Sequence, residues 1–175
     1  MPLNNSPYTM EDIGEVVELT EKRDPRLSPS DSFQYVSIAS VCNRQFQITA
    51  PKTVLGSEAP SRARKVIREH DVLFATTRPY LKSIATVSQD MDDQICSTGF
   101  CVLRAGKRIL PEWLFYWVTS EEMIRQIKPL MRGANYPAIS DKDVRSAKIP
   151  VPQLKEQQRI VGKIKECLDL SLIHI

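Results

Sequence analysis

Short runs of β-branched and aromatic residues fill the first part of the chain and predict a series of β-strands. GEVVELT predicts a strand after a short opening turn or helix within residues 1–20, and five later runs predict further strands: FQYVSIASV, QFQIT, SIATVS, QICST and FCVLRA. HDVLFATT is the most hydrophobic of the middle runs and predicts a central strand that ends at Arg78-Pro79. Pro60 heads SRARKVI and suits the first turn of a short helix. Because no helix of about ten residues separates the strands, the pattern favours an α/β fold of the α+β type, with a mixed, mainly antiparallel twisted sheet and short helices.

Helical spacing replaces the strand pattern further along the chain. PEWLFYWVTS places Leu114, Trp117 and Val118 on one face of a helix, and SEEMIRQIKPL predicts a second helix with Ser120 as its N-cap. The aromatic residues of the first helix are expected in the core, because aromatic residues at helical spacing beside Leu and Val usually pack there. MRGANYPAIS predicts a loop, followed by a single helical turn that Ser140 caps.

Pro150 and Pro152 prevent a helix from running through IPVPQL, because proline lacks the backbone donor and restricts the residue before it. From Leu154 onward, apolar residues recur at helical spacing among charged and amide residues, and several fit a heptad seam. We therefore expect an amphipathic helix, the start of a longer coiled-coil helix, that pairs with another helix. The residues expected at this partner-helix interface are Gln157, Ile160, Val161, Ile164 and Leu168.

The composition is ordinary for one globular domain, with 175 residues, 42% of them hydrophobic and 26% charged. No apolar run approaches the roughly 18 residues of a membrane span, and the N-terminus lacks the pattern of a secretory signal, so a cytoplasmic location without membrane contact is expected. The four cysteines, Cys42, Cys96, Cys101 and Cys167, form no CxxC pair, and the chain has only two histidines. Buried reduced thiols are therefore expected, and no metal site.

Positive charge is concentrated at a few places, although the net charge is only +3. Arg62, Arg64, Lys65 and Arg68 crowd one stretch, and the loop at residues 21–32 carries three more basic residues that could touch a phosphate backbone. A solvated face with scattered charge explains the same pattern equally well.

Motifs for catalysis are missing from the sequence. No Gly-rich loop follows a strand as in methyltransferases, and no Walker loop is present. Asp90, Asp92 and Asp93 are clustered, but the Glu-x-Lys strand of a metal-dependent nuclease does not follow them. The sequence thus favours a binding module without catalytic residues, and an enzyme of unrecognised type stays as a minor alternative.

The basic and amide residues are compatible with a binding module on DNA. Arginine can reach guanine edges or phosphates, Asn135 can pair with adenine, and Tyr136 can stack or hydrogen-bond. The expected DNA-binding residues are Arg62, Arg64, Lys65, Arg78, Tyr80, Lys82, Arg132, Asn135 and Tyr136. Each also has an ordinary alternative, as a surface arginine beside a carboxylate or an asparagine that holds its own turn.

Four stretches resemble one known family in their order and spacing: APSRARKVIREHDVLFATTRPY, STGFCVLRA, RGANYPAISDKDV and IPVPQLKEQQRIVGKI. Together they resemble a target recognition domain of the specificity subunit of type I DNA restriction-modification enzymes. The resemblance implies a non-catalytic subunit that binds one half of a bipartite double-stranded DNA target. It also implies docking of the modification subunits, which use S-adenosylmethionine, and of the restriction subunit, which uses ATP and magnesium.

The resemblance also predicts how the chain is divided. Residues 1–150 are expected to form the recognition domain, and residues 151–170 the start of its spacer helix. Residues 171–175 are expected to be a tail translated from a sequencing adapter, because LSLIHI abandons the preceding pattern. A second recognition domain would come from the same full-length chain or from dimerisation. The alternative is a structural adaptor that does not bind DNA and meets its partners through the coiled-coil helix.

Overall fold

Twelve strands and five helices make up the part of the chain that the computed structural model describes, residues 7–173. The strands are β1 (Met10–Asp12), β2 (Val17–Glu18), β3 (Ser32–Val36), β4 (Val41–Cys42), β5 (Gln47–Ile48), β6 (Lys52–Leu55), β7 (Ala63–Ile67), β8 (Val72–Ala75), β9 (Ile84–Thr86), β10 (Gln94–Ser97), β11 (Phe100–Ala105) and β12 (Lys148–Pro150). The helices are α1 (Ile13–Val16), α2 (Pro111–Thr119), α3 (Glu121–Ile127), α4 (Asp141–Arg145) and α5 (Leu154–Ile173). The beginning of the expected opening turn and the last two residues of the expected tail lie outside the described residues. Within residues 7–173, no helix combines the length and hydrophobicity needed to span a membrane.

The strands form a six-stranded sheet in the order β2-β11-β8-β9-β5-β4, a four-stranded sheet in the order β6-β3-β10-β7, and the pair β1-β12. Two strand pairs, β3 with β10 and β5 with β9, are parallel, and the remaining pairs are antiparallel. The predicted mixed, mainly antiparallel α+β architecture is therefore confirmed.

Strand β8 is central, as predicted, and all four of its residues are buried. Val72 and Phe74 belong to a core that includes residues of all five helices, whereas Leu73 and Ala75 belong to a second core shared with the four-stranded sheet. Successive side chains of a strand point to opposite faces, so a strand covered on both faces needs an unbroken apolar run. The domain thus has three layers: helices, the six-stranded sheet and the four-stranded sheet.

Two strand predictions near the N-terminus are too long. GEVVELT gives the short helix α1 before the two residues of β2, because Ile13 and Val16 are spaced so that a helical turn buries both. FQYVSIASV gives β3 only as far as Val36, after which a reciprocal hydrogen-bonded cap between Ser37 and Ser40 starts a 3-10 turn.

The helix predicted after Pro60 is wrong. Residues 63–67 form strand β7, which pairs in antiparallel register with β10. Pro60 instead begins a turn, in which the Pro60 carbonyl accepts a hydrogen bond from the Ala63 amide at 2.9 Å. The pairing partner lies some thirty residues further on, and this nonlocal contact overrides the local preference of the segment.

The other predicted helices are confirmed, together with the caps at Ser120 and Ser140. The Ser120 hydroxyl accepts a hydrogen bond from the Met123 amide at 3.2 Å, and Ser140 and Asp143 cap α4 reciprocally. Trp113 is buried in the core, as expected of this aromatic helix, and its indole nitrogen donates to the Pro150 carbonyl at 2.9 Å.

The cysteines follow the prediction only in part. Cys96 and Cys101 are buried free thiols, and burial raises the pKa of each to about 12. Cys42 is half-buried. Cys167 is exposed, because it lies on the outer face of α5.

Candidate nucleic-acid interface

Four loop segments meet at the end of β8 where Ala75 lies. The Thr76 amide donates to the Gly99 carbonyl at 2.9 Å, and the Ile139 amide donates to the Thr76 carbonyl at 2.9 Å. The Thr98 amide donates to the Arg62 carbonyl, also at 2.9 Å. These bonds join residues 60–62, 76–82, 97–99 and 132–139, which together we call the four-loop surface.

Arg78 occupies an unusual position on the four-loop surface. Its backbone is left-handed, with φ 50° and ψ 54°, and its amide donates to the Pro137 carbonyl at 2.7 Å. Its guanidinium lies over the ring of Tyr136, with Cζ 4.3 Å from the ring centroid, and Tyr136 is 66% exposed. The buried Nε of Arg78 has no hydrogen-bond partner among the described residues. The fold therefore holds an arginine and an exposed aromatic ring in fixed relative positions at a strained backbone site.

Arg62 and Arg132 lie on neighbouring loops, and both are exposed. The Nε of Arg62 donates to the Thr98 hydroxyl at 3.3 Å. The Arg132 backbone exchanges two hydrogen bonds with Ala138, at 2.9 and 2.8 Å, which closes the loop that presents Asn135 to solvent. Within residues 7–173, neither of these arginines nor Arg78 has a carboxylate at ion-pair distance.

Many other cations of the chain are neutralised by carboxylates. Arg64 lies 3.3 Å from Asp24 and donates to the Ala63 carbonyl at 2.6 Å. The pKa of Asp24 is lowered to about 2, chiefly by its hydrogen bond from Arg26. Arg23 in the same basic loop pairs with Asp93 at 2.7 Å, so this loop offers less free positive charge than its sequence indicates.

Two further residues predicted to bind DNA lie at the margin of the four-loop surface. Tyr80 is 47% exposed, within the 3-10 turn that follows Arg78. Lys82 closes this turn in a left-handed conformation and forms an ion pair with Glu121, whose side chain is 88% exposed. Lys82 can therefore reach DNA only by leaving an exposed partner, which costs little.

Lys65 differs from the other predicted DNA-binding residues, because the structure buries it. Its ammonium group donates to the Phe100 carbonyl and to the Asp141 carboxylate, each at 2.5 Å. Lys65 therefore lies beneath the four-loop surface and does not form part of it. Sequence reasoning missed Asp141, although it lies within one of the stretches that carry the family resemblance.

Hydrogen bonds from Ser140 hold the pKa of Asp143 below its usual range, and the nearby charge of Arg132 lowers it further. Asp143 therefore stays ionised at neutral pH and fixes the start of α4 next to the loop of Arg132. Within the described part of the chain, no group of three or more His, Cys, Asp or Glu side chains is placed to hold a metal ion.

The expected partner-helix residues divide into two groups. Gln157 is fully buried: its side-chain oxygen accepts from the Leu110 amide at 2.8 Å, and its nitrogen donates to the Arg108 and Pro152 carbonyls at 2.9 and 2.8 Å. Val161 is also buried in the main core, and Ile160 packs against it. The first turns of α5 therefore belong to the folded domain, whereas Ile164 is half-buried and Leu168 is 49% exposed.

A family model described as type I restriction modification DNA specificity domain matches residues 5–173. The specificity subunit of the type I restriction enzyme HindI from Haemophilus influenzae is 29% identical over 133 residues, which are 74% of this chain and 28% of the relative. The HsdS subunit from Thermoanaerobacter tengcongensis is similar in structure, with 48% identity and a TM-score of 0.88 over 95% of this chain and 43% of that chain. A structure from work on complex assembly and conformational transition of the type I R-M system gives 48% identity and a TM-score of 0.89, over 96% and 44% of the two chains.

The chain thus spans less than half of the solved chains and about a quarter of the curated relative.

Proposed function

The chain belongs to the family of type I restriction modification DNA specificity domains, and we propose that it is a target recognition domain that binds double-stranded DNA through the four-loop surface. The observation that carries this proposal is that Arg62, Arg78 and Arg132 lie on adjoining loops and have no carboxylate partner in the described part of the chain. Arginine gives bidentate contacts to guanine edges and charged contacts to phosphates. Asn135, which can pair with adenine, is exposed on the same surface.

The chain is comparable in extent to one half of the solved chains, with coverage of 43% and 44%. We propose that it reads one half of a bipartite target and that a second recognition domain, in the same full-length chain or in a dimer, reads the other. Modification subunits with S-adenosylmethionine, and a restriction subunit with ATP and magnesium, would then supply the chemistry. The half-exposed residues Ile164 and Leu168 on α5 are the proposed contact with a partner helix.

Selection from a random-sequence pool of duplexes tests the proposal directly. The wild-type chain should enrich a common sequence, and the selected duplex should bind more tightly than an unselected duplex of the same length. Affinity should be weak and fall steeply with salt, since half a target leaves mostly phosphate contacts. If a folded chain enriches no sequence and binds no duplex, the adaptor alternative stands and the proposal fails.

A matched control comes from the geometry of β11. This strand has six residues and begins beside Gly99, so Lys107 lies beyond its far end, roughly 20 Å from the four-loop surface at about 3.3 Å per residue. Lys107 is an exposed cation without an ion pair among the described residues. Arg62→Ala, Arg78→Ala and Arg132→Ala should each weaken binding, and Lys107→Ala should leave it unchanged. Equal losses for all four variants would indicate only a general charge effect.

A further inference from the structure

Lys65 is a buried cation on β7, the strand that follows the loop of Arg62. It lies in the middle of β7, opposite Cys96 of β10 and on the same face as Ile67, and the residue is only 8% exposed. A buried ammonium group is costly unless fixed acceptors surround it. The Phe100 carbonyl and the Asp141 carboxylate provide such acceptors, each 2.5 Å from the Lys65 nitrogen.

These two acceptors lie next to two different segments of the four-loop surface. Phe100 directly follows the turn at residues 97–99, where Thr98 receives the hydrogen bond from Arg62. Asp141 begins α4, and only the N-cap Ser140 separates it from the segment that carries Arg132 and Tyr136. One ammonium group therefore anchors the ends of two loops that are far apart in sequence.

Direct contact between Lys65 and DNA does not fit this arrangement. The Lys65 side chain is 10% exposed, whereas the side chain of its partner Asp141 is 45% exposed. To reach a phosphate, the ammonium group would have to leave both acceptors, and a carboxylate would remain at the surface that DNA approaches. The energetic cost of breaking a buried pair opposes such a movement.

We propose that Lys65 and Asp141 are a positioning pair, which holds the segments at residues 97–99 and 132–139 in the arrangement that reads the DNA sequence. This inference rests on the proposed function, because it assigns a role within the same surface. Lys65 acts through Arg62, Arg132 and Tyr136 and makes no contact with DNA itself.

Asp141→Asn separates positioning from simple electrostatics by the sign of its effect. If Asp141 were only a negative charge near DNA, its removal would raise the affinity for every duplex. If it positions the loops, the substitution should lower the affinity for the selected duplex on the order of tenfold, as one mismatched base pair does. The affinity for an unselected duplex should stay the same or rise.

Glu121→Gln is the matched control, because it also removes the carboxylate of a lysine ion pair near the four-loop surface. Its pair with Lys82 is exposed, so the substitution frees a cation without moving a loop. The affinity of Glu121→Gln should rise for both duplexes. Opposite signs for the two substitutions on the selected duplex are the expected result, and a rise in both overturns the positioning pair.

Lys65→Met gives a second readout through the salt dependence of binding. Loss of a phosphate contact reduces the slope of log affinity against log salt concentration by about 0.9. Lys65→Met should lower the affinity for the selected duplex and leave this slope unchanged, whereas a reduced slope would show that Lys65 contacts phosphate. The double variant with Asp141→Asn should bind no more weakly than Lys65→Met alone.

The outcomes distinguish this inference from the proposed function. If wild-type chain binds no duplex, the proposed function fails. If wild-type chain binds the selected duplex and Asp141→Asn binds it more tightly, only the positioning pair fails. Circular dichroism establishes the folded fraction of each variant. If Lys65→Met does not fold, the test is whether Asp141→Asn raises or lowers the affinity for the selected duplex.

Discussion

The guanidinium of Arg78 lies over the ring of Tyr136 at 4.3 Å, and the two residues come from loops 58 positions apart in sequence. The Arg78 amide also donates to the Pro137 carbonyl, so backbone and side chain both join the two loops. A stacked guanidinium keeps its hydrogen-bond donors available at its edge, which is how arginine reads a guanine or grips a phosphate. We therefore expect Tyr136 to orient Arg78 for the proposed DNA contact.

Removing the ring should weaken DNA binding through Arg78. A cation–π contact at an exposed site contributes about 0.5–1 kcal/mol, so Tyr136→Ala should weaken binding of the selected duplex by a few-fold. Tyr136→Phe keeps the ring and should bind nearly as wild type does. Fluorescence anisotropy titrations measure these affinities. If Tyr136→Ala weakens binding equally with and without Arg78→Ala, Tyr136 acts independently of Arg78.

The left-handed backbone of Arg78 should cost stability. This conformation costs residues other than glycine roughly 1–2 kcal/mol of stability, which a glycine avoids. The greater freedom of glycine in the unfolded chain offsets part of this advantage. Arg78→Gly should therefore be more stable than Arg78→Ala by up to about 1 kcal/mol, although both variants lose the proposed DNA contact. Urea unfolding of the two variants measures the difference. A less stable Arg78→Gly would show that the backbone at this position is not strained.

Local patterns predicted the elements whose stability depends on nearby residues. Strands β8 and β11 were predicted because unbroken apolar runs mark strands covered on both faces, and the caps at Ser120 and Ser140 act within three residues. Residue type suggested Arg62, Arg78 and Arg132 as DNA contacts, and this role stays a prediction, although the structure brings their loops together.

The failures of sequence reasoning arise from partners far along the chain. The buried ammonium group of Lys65 has its carboxylate partner in Asp141, 76 residues later. The buried side chain of Gln157 accepts a hydrogen bond from the amide of Leu110, 47 residues earlier. A lysine on a basic stretch and a glutamine on an amphipathic helix carry no local signal of burial. Only the tertiary structure distinguishes them from surface residues.

Gln157 should stabilise the domain rather than a contact with a partner helix. Gln157→Ala removes three hydrogen bonds and leaves the partly buried Leu110 amide and the buried Pro152 carbonyl without their side-chain partner. The free energy of unfolding should fall by about 2–4 kcal/mol, because each unsatisfied buried group costs about 1–3 kcal/mol. Gln158→Ala, at the exposed neighbouring position, should change it by less than about 0.5 kcal/mol. Thermal and urea unfolding provide the comparison, and equal stability of the two variants contradicts the assignment.

The two ends of α5 should respond differently to an added charge. Val161 is 5% exposed in the main core, so Val161→Glu buries an unpaired carboxylate and should destabilise the chain by roughly 3 kcal/mol or more. Leu168 is 49% exposed, so Leu168→Glu should leave the free energy of unfolding within about 0.5 kcal/mol of wild type.

An exposed apolar stripe on a helix favours self-association, which Leu168→Glu should abolish in sedimentation velocity experiments. Gln158→Glu adds the same charge at an exposed position outside the seam and should leave association unchanged. If wild-type chain is monomeric at its highest soluble concentration, or if Leu168→Glu unfolds the domain, then the outer part of α5 does not mediate self-association.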